Sequence, residues 1–349
     1  MAPAGKRVLL CGYYGEHNLG DDALLEVALS QLPPHVRPLV TAHDQAQVHD
    51  RFGVATVPRR SLGAVLQALA RVDGLVLGGG SLLQDSTSFR SLLYYAALVV
   101  AARLRGKVVL LWAQGLGPLR RRRSRWLVKS LLPLAQAISW RDPASASLGA
   151  TLGGHGLVAP DPVWALPGQP WRGSGGPIVL CFRPTHQLIG QAWRPYLACL
   201  DQLAQEANRE VIWLAFHGEQ DTGLLQQLRE QGLLPPSLAA RSREVVPLLP
   251  REASAVFASA GLVIAMRLHG LILAAVAGSP TVALSYDPKV DAAAEAIGAP
   301  CQRLDQPMDG AALLACWRQA LDLPPPSQLI QQLRVQAQQH RLVFDALSS

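Results

Sequence analysis

The chain has 349 residues, of which 49% are hydrophobic and 16% are charged. This length and composition predict two globular domains with buried cores, and they exclude a disordered chain. The five cysteines form no CxxC pair. Neither a zinc cluster nor a disulfide framework is therefore indicated, and reduced thiols in a reducing compartment are expected.

The N-terminal sequence MAPAGKRVLLCGYYG does not have the pattern of a secretory signal. Its apolar run is short, and a glycine-rich segment stands where a cleavage region is expected. The longest apolar helical segment, residues 91–104, is too short to span a bilayer. These features predict a soluble, cytoplasmic protein.

The formal net charge is +7, and much of the excess lies in one run, Arg120–Arg123 with Arg125 and Lys129. One interpretation is a solvated helix face. Another is a docking face for anionic lipid headgroups or for a lipid-diphosphate carrier at the inner face of the membrane. Nucleic acid is not predicted as a partner, because no recognised binding motif accompanies the run.

The first half of the chain alternates apolar strand patterns with helical patterns. The predicted strands are residues 6–11, 39–42, 54–57, 74–77 and 108–113, and the predicted helices are residues 23–32, 62–70 and 89–104. Alternation of this kind predicts a parallel sheet covered by helices on both faces.

Residues 159–177 are rich in proline and glycine and have no periodicity, so we place a domain boundary there. Beyond it the predicted strands are residues 178–182, 211–216, 262–266 and 281–285, and the predicted helices are residues 193–208, 223–230, 270–277, 290–297 and 327–347. The expected organisation is an N-terminal domain (1–165), a C-terminal domain (175–325) and a C-terminal helix (326–349). The predicted fold class is α/β, with two Rossmann-like domains facing each other across a cleft in a GT-B-like architecture.

Three glycine-bearing turns are predicted at strand ends, at residues 12–15, 78–81 and 115–118. Glycine allows close approach of the backbone to a ligand, although each turn taken alone is also typical of an ordinary tight turn. None is a GxGxxG fingerprint or a Walker loop. The candidate substrate-binding residues at and around these turns are Gly12, Asn18, Asp21, Gly79, Gly80, Ser81, Gln84, Asp85, Gln114 and Gly115.

The segment MRLHG lies between an apolar strand and an apolar helix. Arg267 and His269 would project to the same side if the segment were extended, at a helix N-terminus that favours a phosphate or a carboxylate. The alternative is a helix-capping pair with a satisfied histidine. Arg183 and Lys289 follow other strands and are either further cations on the same rim or ordinary surface cations.

Two further groups of polar side chains follow strands of the second half. His217 and Asp221, in FHGEQD, are candidate partners for sugar hydroxyls. Tyr286 comes directly after the predicted strand 281–285, and it is a candidate substrate-binding residue.

Together these segments resemble the polysaccharide pyruvyl transferase family, specifically its CsaB-like members. The resemblance is carried by GYYGEHNLGDDALL (12–25), GGGSLLQDSTSFRSLLYY (78–95), WAQGLGPL (112–119), SWRDPAS (139–145), DPVW (161–164) and MRLHGLILAAVAGSPTVALSYDPKV (266–290). It implies a GT-B-like fold, phosphoenolpyruvate as the donor, and no metal or other cofactor. It also implies an acceptor sugar in a cell-surface glycan or its lipid-linked precursor, as in the cell-wall glycans that anchor S-layers.

The family's arginine-leucine-histidine element matches residues 267–269, which implies that His269 is catalytic and that Arg267 binds the donor; Arg183 is a further donor-binding candidate. Ketal formation requires protonation of the enol carbon, for which histidine is the usual general acid near neutral pH. We therefore expect His269 to be this acid, with Arg267, Arg183 and Lys289 neutralising the carboxylate and the phosphate.

Two other functions fit parts of the sequence. A GT-B glycosyltransferase would also place the diphosphate of a nucleotide sugar at a helix N-terminus of the C-terminal domain, and fold alone does not separate the two activities. A non-catalytic sensor or scaffold that binds an anionic metabolite or a glycan is the second alternative.

Overall fold

The computed structural model describes residues 5–86 and 88–347, which form two compact units. The N-terminal unit comprises the residues up to Glu16, Asp21–Ala165 and the residues from Leu333 onward. The C-terminal unit comprises His17–Gly20 and Leu166–Gln332. Residues 1–4 and 348–349 of the expected domains, and Thr87 in the segment 78–95, lie outside the described residues.

The N-terminal unit is built on a seven-stranded parallel sheet of order β3-β2-β1-β4-β5-β6-β7. Its strands are β1 (Arg7–Tyr14), β2 (Arg37–Ala42), β3 (Ala55–Pro58), β4 (Gly74–Leu83), β5 (Val108–Leu116), β6 (Ala137–Trp140) and β7 (Leu157–Val158). Its helices are α1 (Leu19–Gln31), α2 (Gln45–Phe52), α3 (Leu62–Ala70), α4 (Phe89–Leu104), α5 (Arg122–Leu131) and α6 (Pro143–Thr151).

Strand order and crossover hand determine which face each helix covers. The connections through α3, α4 and α5 all step across the sheet in the direction from β3 towards β7. Because such crossovers are right-handed, these three helices cover the same face. Apolar side chains of all three helices pack in one core with the strands, including Leu69, Leu98 and Val128.

The C-terminal unit is built on a six-stranded parallel sheet of order β10-β9-β8-β11-β12-β13. Its strands are β8 (Ile178–Cys181), β9 (Val211–Leu214), β10 (Ser242–Val245), β11 (Leu262–Ala265), β12 (Thr281–Ser285) and β13 (Cys301–Arg303). The remaining helices are α7 (Arg194–Glu206), α8 (Gly218–Asp221), α9 (Leu224–Glu230), α10 (Pro236–Arg241), α11 (Pro250–Ala258), α12 (Leu268–Val276), α13 (Pro288–Ala296), α14 (Gly310–Ala320) and α15 (Ser327–Ala337). Both sheets therefore have the Rossmann-like arrangement predicted from the alternation of elements.

Strands extend into two of the predicted glycine turns. The turn at 12–15 begins only at Gly15, because β1 continues to Tyr14, and the turn predicted at 78–81 is wrong because β4 continues through it. Gly12 lies inside β1, where a side chain would overlap the ring of Tyr14. Gly78–Gly80 lies inside β4, which keeps pairing with β5 as far as Leu83 opposite Leu116. Gly79 and Gly80 both have positive φ there. The two glycines therefore allow an irregularity within a paired strand, and they do not form a turn.

The predicted helix at 327–347 is also interrupted. α15 ends at Ala337, and 3₁₀ turns span Gln338–Leu347. The aromatic ring of Phe344 in these turns stacks on Trp112 of β5, with ring centroids 6.2 Å apart. Across the part of the chain that the structure describes, no helix has both the length and the apolar character needed to cross a bilayer.

The C-terminal turns are also attached through a fully buried imidazole. His340 Nε2 lies 2.9 Å from the carbonyl oxygen of Pro160, and its Nδ1 lies 2.9 Å from the Ser139 hydroxyl. A carbonyl only accepts, so Nε2 carries the proton and Nδ1 accepts from Ser139. Burial lowers the pKa of His340, and the neutral ring is the form the fold stabilises.

This burial predicts a pH dependence of stability. The pKa of His340 is lower in the folded chain than its ordinary value of 6.5, so its contribution is present above pH 6.5 and is lost as the pH falls below it. We expect the free energy of unfolding to fall by up to about 1.4 kcal/mol per pH unit from this group. Denaturant unfolding at pH 7.5, 6.5 and 5.5 measures it.

The variant His340→Gln should lose the part of the pH dependence of the unfolding free energy that comes from His340. His155→Gln, at an exposed histidine, should keep it. Equal slopes in the wild type and His340→Gln would contradict the assignment.

Candidate functional site

The order of the C-terminal sheet reverses between β8 and β11, which lie side by side with Cys181 opposite Ala265. In open parallel sheets, ligands bind beyond the strand carboxyl ends at such a reversal. Arg183 follows β8, and Arg267 follows β11. Two of the predicted cations therefore lie at the topological switch point of this unit.

Arg267 is held in a buried ion pair. Its Nε donates to Asp221 Oδ2 at 3.1 Å, and its Nη2 donates to Asp221 Oδ1. Arg267 is 8% exposed and Asp221 is 3% exposed. Much of the arginine's charge is thus balanced by this carboxylate. Asp221, a candidate for binding sugar hydroxyls, is instead occupied by the guanidinium and by the backbone N–H of His217, 2.8 Å away.

Gln220 joins the two arginines. Its Oε1 accepts from Arg267 Nη2 at 3.2 Å and from Arg183 Nη2 at 3.4 Å. Arg183 also donates from Nη1 to the Tyr286 hydroxyl at 2.8 Å, and its guanidinium lies 5.1 Å from the centre of the Tyr286 ring. Arg183 is only partly buried, and no carboxylate among the described residues is paired with it. It is therefore the more available of the two cations.

His269 lies in the first turn of α12. Residues 267–269 do not form an extended segment, because only Arg267 is extended, with φ −90° and ψ 126°. The helix begins at Leu268 rather than at the predicted Gly270. His269 is therefore at the N-terminus of α12, where the helix dipole favours an anion.

A segment from the N-terminal part of the chain, His17–Gly20, packs beside this histidine within the C-terminal unit. We call it the strap. A side chain at Gly20 would overlap Nδ1 of His269 and come within 3.0 Å of its Cγ. The Nδ1 edge of the imidazole thus rests against the strap, and Nε2 is on the opposite side of the ring.

The strap is fixed by backbone pairing with the loop after β9. Leu19 N–H donates to Phe216 O at 3.1 Å, and Gly218 N–H donates to His17 O at 2.8 Å. The Asn18 side chain accepts from the N–H of Gly20 at 3.0 Å, as a helix cap does. Asn18, a predicted substrate-binding residue, thereby helps to position the glycine that contacts His269.

His217 is bridged to Asn18 of the strap and is 8% exposed. Its Nδ1 is buried and has no hydrogen-bond partner among the described residues. Burial lowers the pKa of His217, and the nearby guanidinium of Arg267 lowers it further. The lowered pKa keeps the ring neutral near pH 7.

Lys289 lies in the first turn of α13, directly after β12, and is partly buried. Its backbone N–H donates to the capping carboxylate of Asp287 at 2.9 Å. Lys289 and Tyr286 thus follow the strand next to β11 at the same sheet edge as Arg267.

The predicted residues of the N-terminal unit form a separate cluster at the ends of β4, β5 and β6. The Ser81 hydroxyl accepts from Arg141 Nη2 at 3.0 Å, and Arg141 pairs with Asp161 at 3.2 Å. A side chain at Gly115 would lie 2.6 Å from Ser81 Oγ. Gly115 is therefore required by the packing of this buried polar network.

Other predicted residues of this unit have structural contacts. Asp85 accepts from the N–H groups of Arg120 and Arg121, both at 2.9 Å, and fixes the start of the basic run. Gln114 is fully buried, with Nε2 donating to Leu77 O at 3.0 Å while Oε1 has no partner in the described part of the chain.

The remaining predicted residues of this unit are Gln84 and Asp21. The hydroxyl of Ser86 donates to Gln84, and Asp21 lies in the first turn of α1. Neither contact indicates a ligand by itself.

Sequence reasoning assigned no role to Gln220, Arg141 or Asp161. Gln220 carries no motif, and only folding places it between two arginines that are 84 residues apart in the chain. Arg141 and Asp161 lie within two of the segments that carry the family resemblance, which was the available signal.

A cavity of about 390 Å³ opens beside the loop that follows Arg183, lined by residues such as His186, Ile189 and Trp193. It includes neither arginine nor His269, so we do not assign the polar site to it. Among the described residues, no three His, Cys, Asp or Glu side chains are placed to hold a metal ion.

The contact between Gly20 and His269 predicts the effect of two matched substitutions. Gly63 is the second residue of α3, as Gly20 is of α1, and has nothing within 4 Å of its added methyl. Gly63→Ala should raise the free energy of unfolding by about 0.5 kcal/mol, since alanine favours helix. Gly20→Ala should lose this gain because it displaces the imidazole.

Denaturant unfolding measures both effects, and the imidazole NMR signals of His269 should shift only in Gly20→Ala. Equal stabilisation of the two variants with unchanged His269 signals would contradict the packing of the strap against His269.

Comparison with solved structures shows the fold. HepE of Anabaena, in complex with UDP and glucose, has a TM-score of 0.58 at 12% identity, over 98% of each chain. A putative UDP-N-acetylglucosamine 2-epimerase from Listeria monocytogenes has a TM-score of 0.65 at 12% identity, over 99% of this chain and 95% of that one. MurG of Acinetobacter baumannii has a TM-score of 0.51 at 14% identity, over 98% and 99%. At these identities the likeness establishes a GT-B-like fold of two Rossmann-like domains, and not an activity.

Among curated protein sequences, no significant match is found. The family profile described as polysaccharide pyruvyl transferase matches residues 18–288, which include Asn18–Gly20 of the strap, β8, β9, β11 and the site residues as far as Pro288. That span is more than half of the chain and contains the residues 267–269 that carry the resemblance. The chain belongs to the polysaccharide pyruvyl transferase family, and it is a transferase with a GT-B-like fold.

Proposed function

We propose that this transferase moves the pyruvyl group of phosphoenolpyruvate onto two hydroxyls of a sugar as a cyclic ketal and releases phosphate, without a metal or other cofactor. The observation that carries the proposal is the position of His269 at the start of α12, at the same sheet edge as Arg183, Arg267 and Lys289. A small donor with a carboxylate and a phosphate requires cations and a proton donor in this arrangement.

The donor's charges are assigned to the groups that are available for them. Arg183 is the principal cation in this proposal, because Asp221 balances much of the charge of Arg267. Arg267 positions Gln220 and occupies the N-cap position of α12, and Lys289 and Tyr286 complete the rim. The N-terminal amides of α12 supply further donors for a phosphate oxygen.

The reaction then proceeds by one protonation and two additions. His269 gives the proton on Nε2 to the methylene carbon of phosphoenolpyruvate, which becomes the methyl group, and a cation develops at C2. One sugar hydroxyl attacks C2 and loses its proton. The second hydroxyl replaces the phosphate, which leaves with the electrons of its C–O bond. The two hydroxyl protons reprotonate His269 and the departing phosphate, so atoms and charge balance.

His217 is the proposed acceptor of the proton from the first hydroxyl. Its lowered pKa keeps it neutral, and its buried Nδ1 has no hydrogen-bond partner among the described residues. A proton taken by His217 can pass to the departing phosphate. The two histidines thus divide the roles of base and acid between two groups held by one strap.

The acceptor is a saccharide in this proposal, carried on a cell-surface glycan or its lipid-linked precursor, such as a cell-wall glycan that anchors an S-layer. The polar cluster around Ser81 and Arg141 in the N-terminal unit is its candidate binding region. A cytoplasmic location, with peripheral contact to the anionic inner face of the membrane, is consistent with a lipid-linked acceptor.

The alternative is a GT-B glycosyltransferase that uses a nucleotide sugar. The solved structure of HepE contains UDP, and the fold is shared. A helix N-terminus accommodates a diphosphate as well as a phosphate. The two functions differ in the ligand that stabilises the chain.

The proposed acid predicts the effect of removing His269. His269→Ala should lower the rate of ketal formation about 10²–10⁴-fold, the usual contribution of a positioned proton donor. Mass spectrometry of candidate acceptors incubated with phosphoenolpyruvate measures this, since ketal formation adds about 70 Da by the chemistry above. His155→Ala, at an exposed histidine, is the matched control. Full activity of His269→Ala would remove this role from the residue.

Ligand stabilisation separates the two activities. Phosphoenolpyruvate at about 100 times its dissociation constant should add about 2.7 kcal/mol to the free energy of unfolding. Arg183→Ala should lose most of this gain because the principal cation is absent. Thermal unfolding with each ligand measures it, and stabilisation by a UDP-sugar with none by phosphoenolpyruvate would favour the glycosyltransferase.

A further inference from the structure

The positive charge of the chain is concentrated in one stretch. Residues 86–140 contain ten lysines and arginines and no aspartate or glutamate. The rest of the chain contains 22 basic and 25 acidic residues. The net charge of +7 therefore comes from this stretch, which spans α4, β5 and α5.

The two helices of this stretch lie side by side on one face of the N-terminal sheet. α4 and α5 pack against each other, and the guanidinium of Arg123 in α5 lies 4.1 Å from the centre of the Phe89 ring in α4. Both cover the sheet from the same side, so their outer faces form one surface of the N-terminal unit. We call it the α4–α5 surface.

The α4–α5 surface has an exposed apolar component as well as its cations. Along α4 the exposed residues recur at three and four positions, which places Leu93, Val100 and Leu104 in one stripe. Leu104 is 82% exposed, and Trp126 in α5 is 76% exposed.

Cations surround these apolar side chains. In α5, Arg122 and Lys129 are neighbours of Trp126 on the helix, at four and three residues' distance. The other exposed cations of the surface are Arg90, Arg103, Arg105, Arg123 and Arg125.

We propose that the α4–α5 surface docks onto a lipid bilayer that contains anionic lipids. Exposed tryptophan and leucine side chains surrounded by arginine and lysine are the features by which helices lie in a membrane interface, with apolar groups at the acyl boundary and cations at the headgroups. A purely electrostatic partner such as a nucleic acid explains the cations but leaves the apolar stripe without a role. The docking extends the peripheral contact in the proposed function to a defined surface, and it requires none of the catalytic residues.

Co-sedimentation of the full chain with vesicles tests this docking. The wild type should bind vesicles of phosphatidylglycerol and phosphatidylcholine, bind phosphatidylcholine alone weakly, and release at high salt. The triple variant Arg122→Glu, Arg125→Glu and Lys129→Glu should lose at least about 100-fold in partition, since each cation near such a surface contributes about fivefold.

The matched control is a triple reversal in the C-terminal unit, Arg172→Glu, Arg194→Glu and Arg251→Glu, which changes the net charge equally. It should stay within about threefold of the wild type, because the charges that it removes lie outside the docking surface. Circular dichroism checks that all variants fold.

Tryptophan quenching gives a second readout. Lipids brominated in their acyl chains should quench part of the tryptophan fluorescence on binding, and Trp126→Phe should bind but lose that quenching. Trp126→Ala should bind about tenfold more weakly.

Three results would overturn the proposal. The first is that the wild type does not bind anionic vesicles, and the second is that the control variant loses as much binding as the triple variant in α5. The third is that the wild type is a dimer without vesicle binding, and that the triple variant in α5 dissociates this dimer. The last would make the surface an interface between copies of the chain. None of these outcomes bears on pyruvyl transfer, which is measured with a water-soluble acceptor.

Discussion

The buried ion pair between Arg267 and Asp221 is the interaction on which the site depends. It connects the loop after β9 to the start of α12, and the same carboxylate holds the backbone of His217. Loss of either partner would leave the other charge buried, which typically costs about 3–5 kcal/mol. The pair therefore helps to fix two histidines, one after β9 and one after β11, the strands on either side of β8. It also balances much of the charge of Arg267, which leaves less of that charge for an anionic donor.

This arrangement separates positioning from chemistry. Asp221 holds Arg267 and the backbone of His217, and the strap packs against the His269 ring. Arg183 has no paired carboxylate among the described residues. In the proposed reaction a cation develops at C2 of phosphoenolpyruvate, so the site must not surround that carbon with unbalanced positive charge. In the proposed reaction, Arg267 satisfies this condition because Asp221 balances its charge, and the more exposed Arg183 is the cation for the carboxylate or the phosphate.

The sequence predicted both parallel sheets, the positions of most strands, and the family, because buried strands give continuous apolar runs and the motifs stand at their ends. It did not predict α2, whose only buried residue is Val48, since one apolar position gives no periodicity. The start of α12 was misplaced by two residues, and the partner of Arg267, Asp221, lies 46 residues away in the chain, where no local pattern indicates it. The strap could not be predicted either, since its pairing with residues 216–218 is a long-range contact without a local pattern.

The proposed transfer requires His269 to meet the methylene carbon of phosphoenolpyruvate at the N-terminus of α12. A crystal structure of the wild type with phosphoenolpyruvate and no acceptor tests it most directly. We expect Nε2 of His269 to lie about 3–3.5 Å from the methylene carbon, the separation of a reactive pair, with Arg183 on the carboxylate or the phosphate. A donor bound elsewhere, with His269 contacting no atom of it, would contradict the claim.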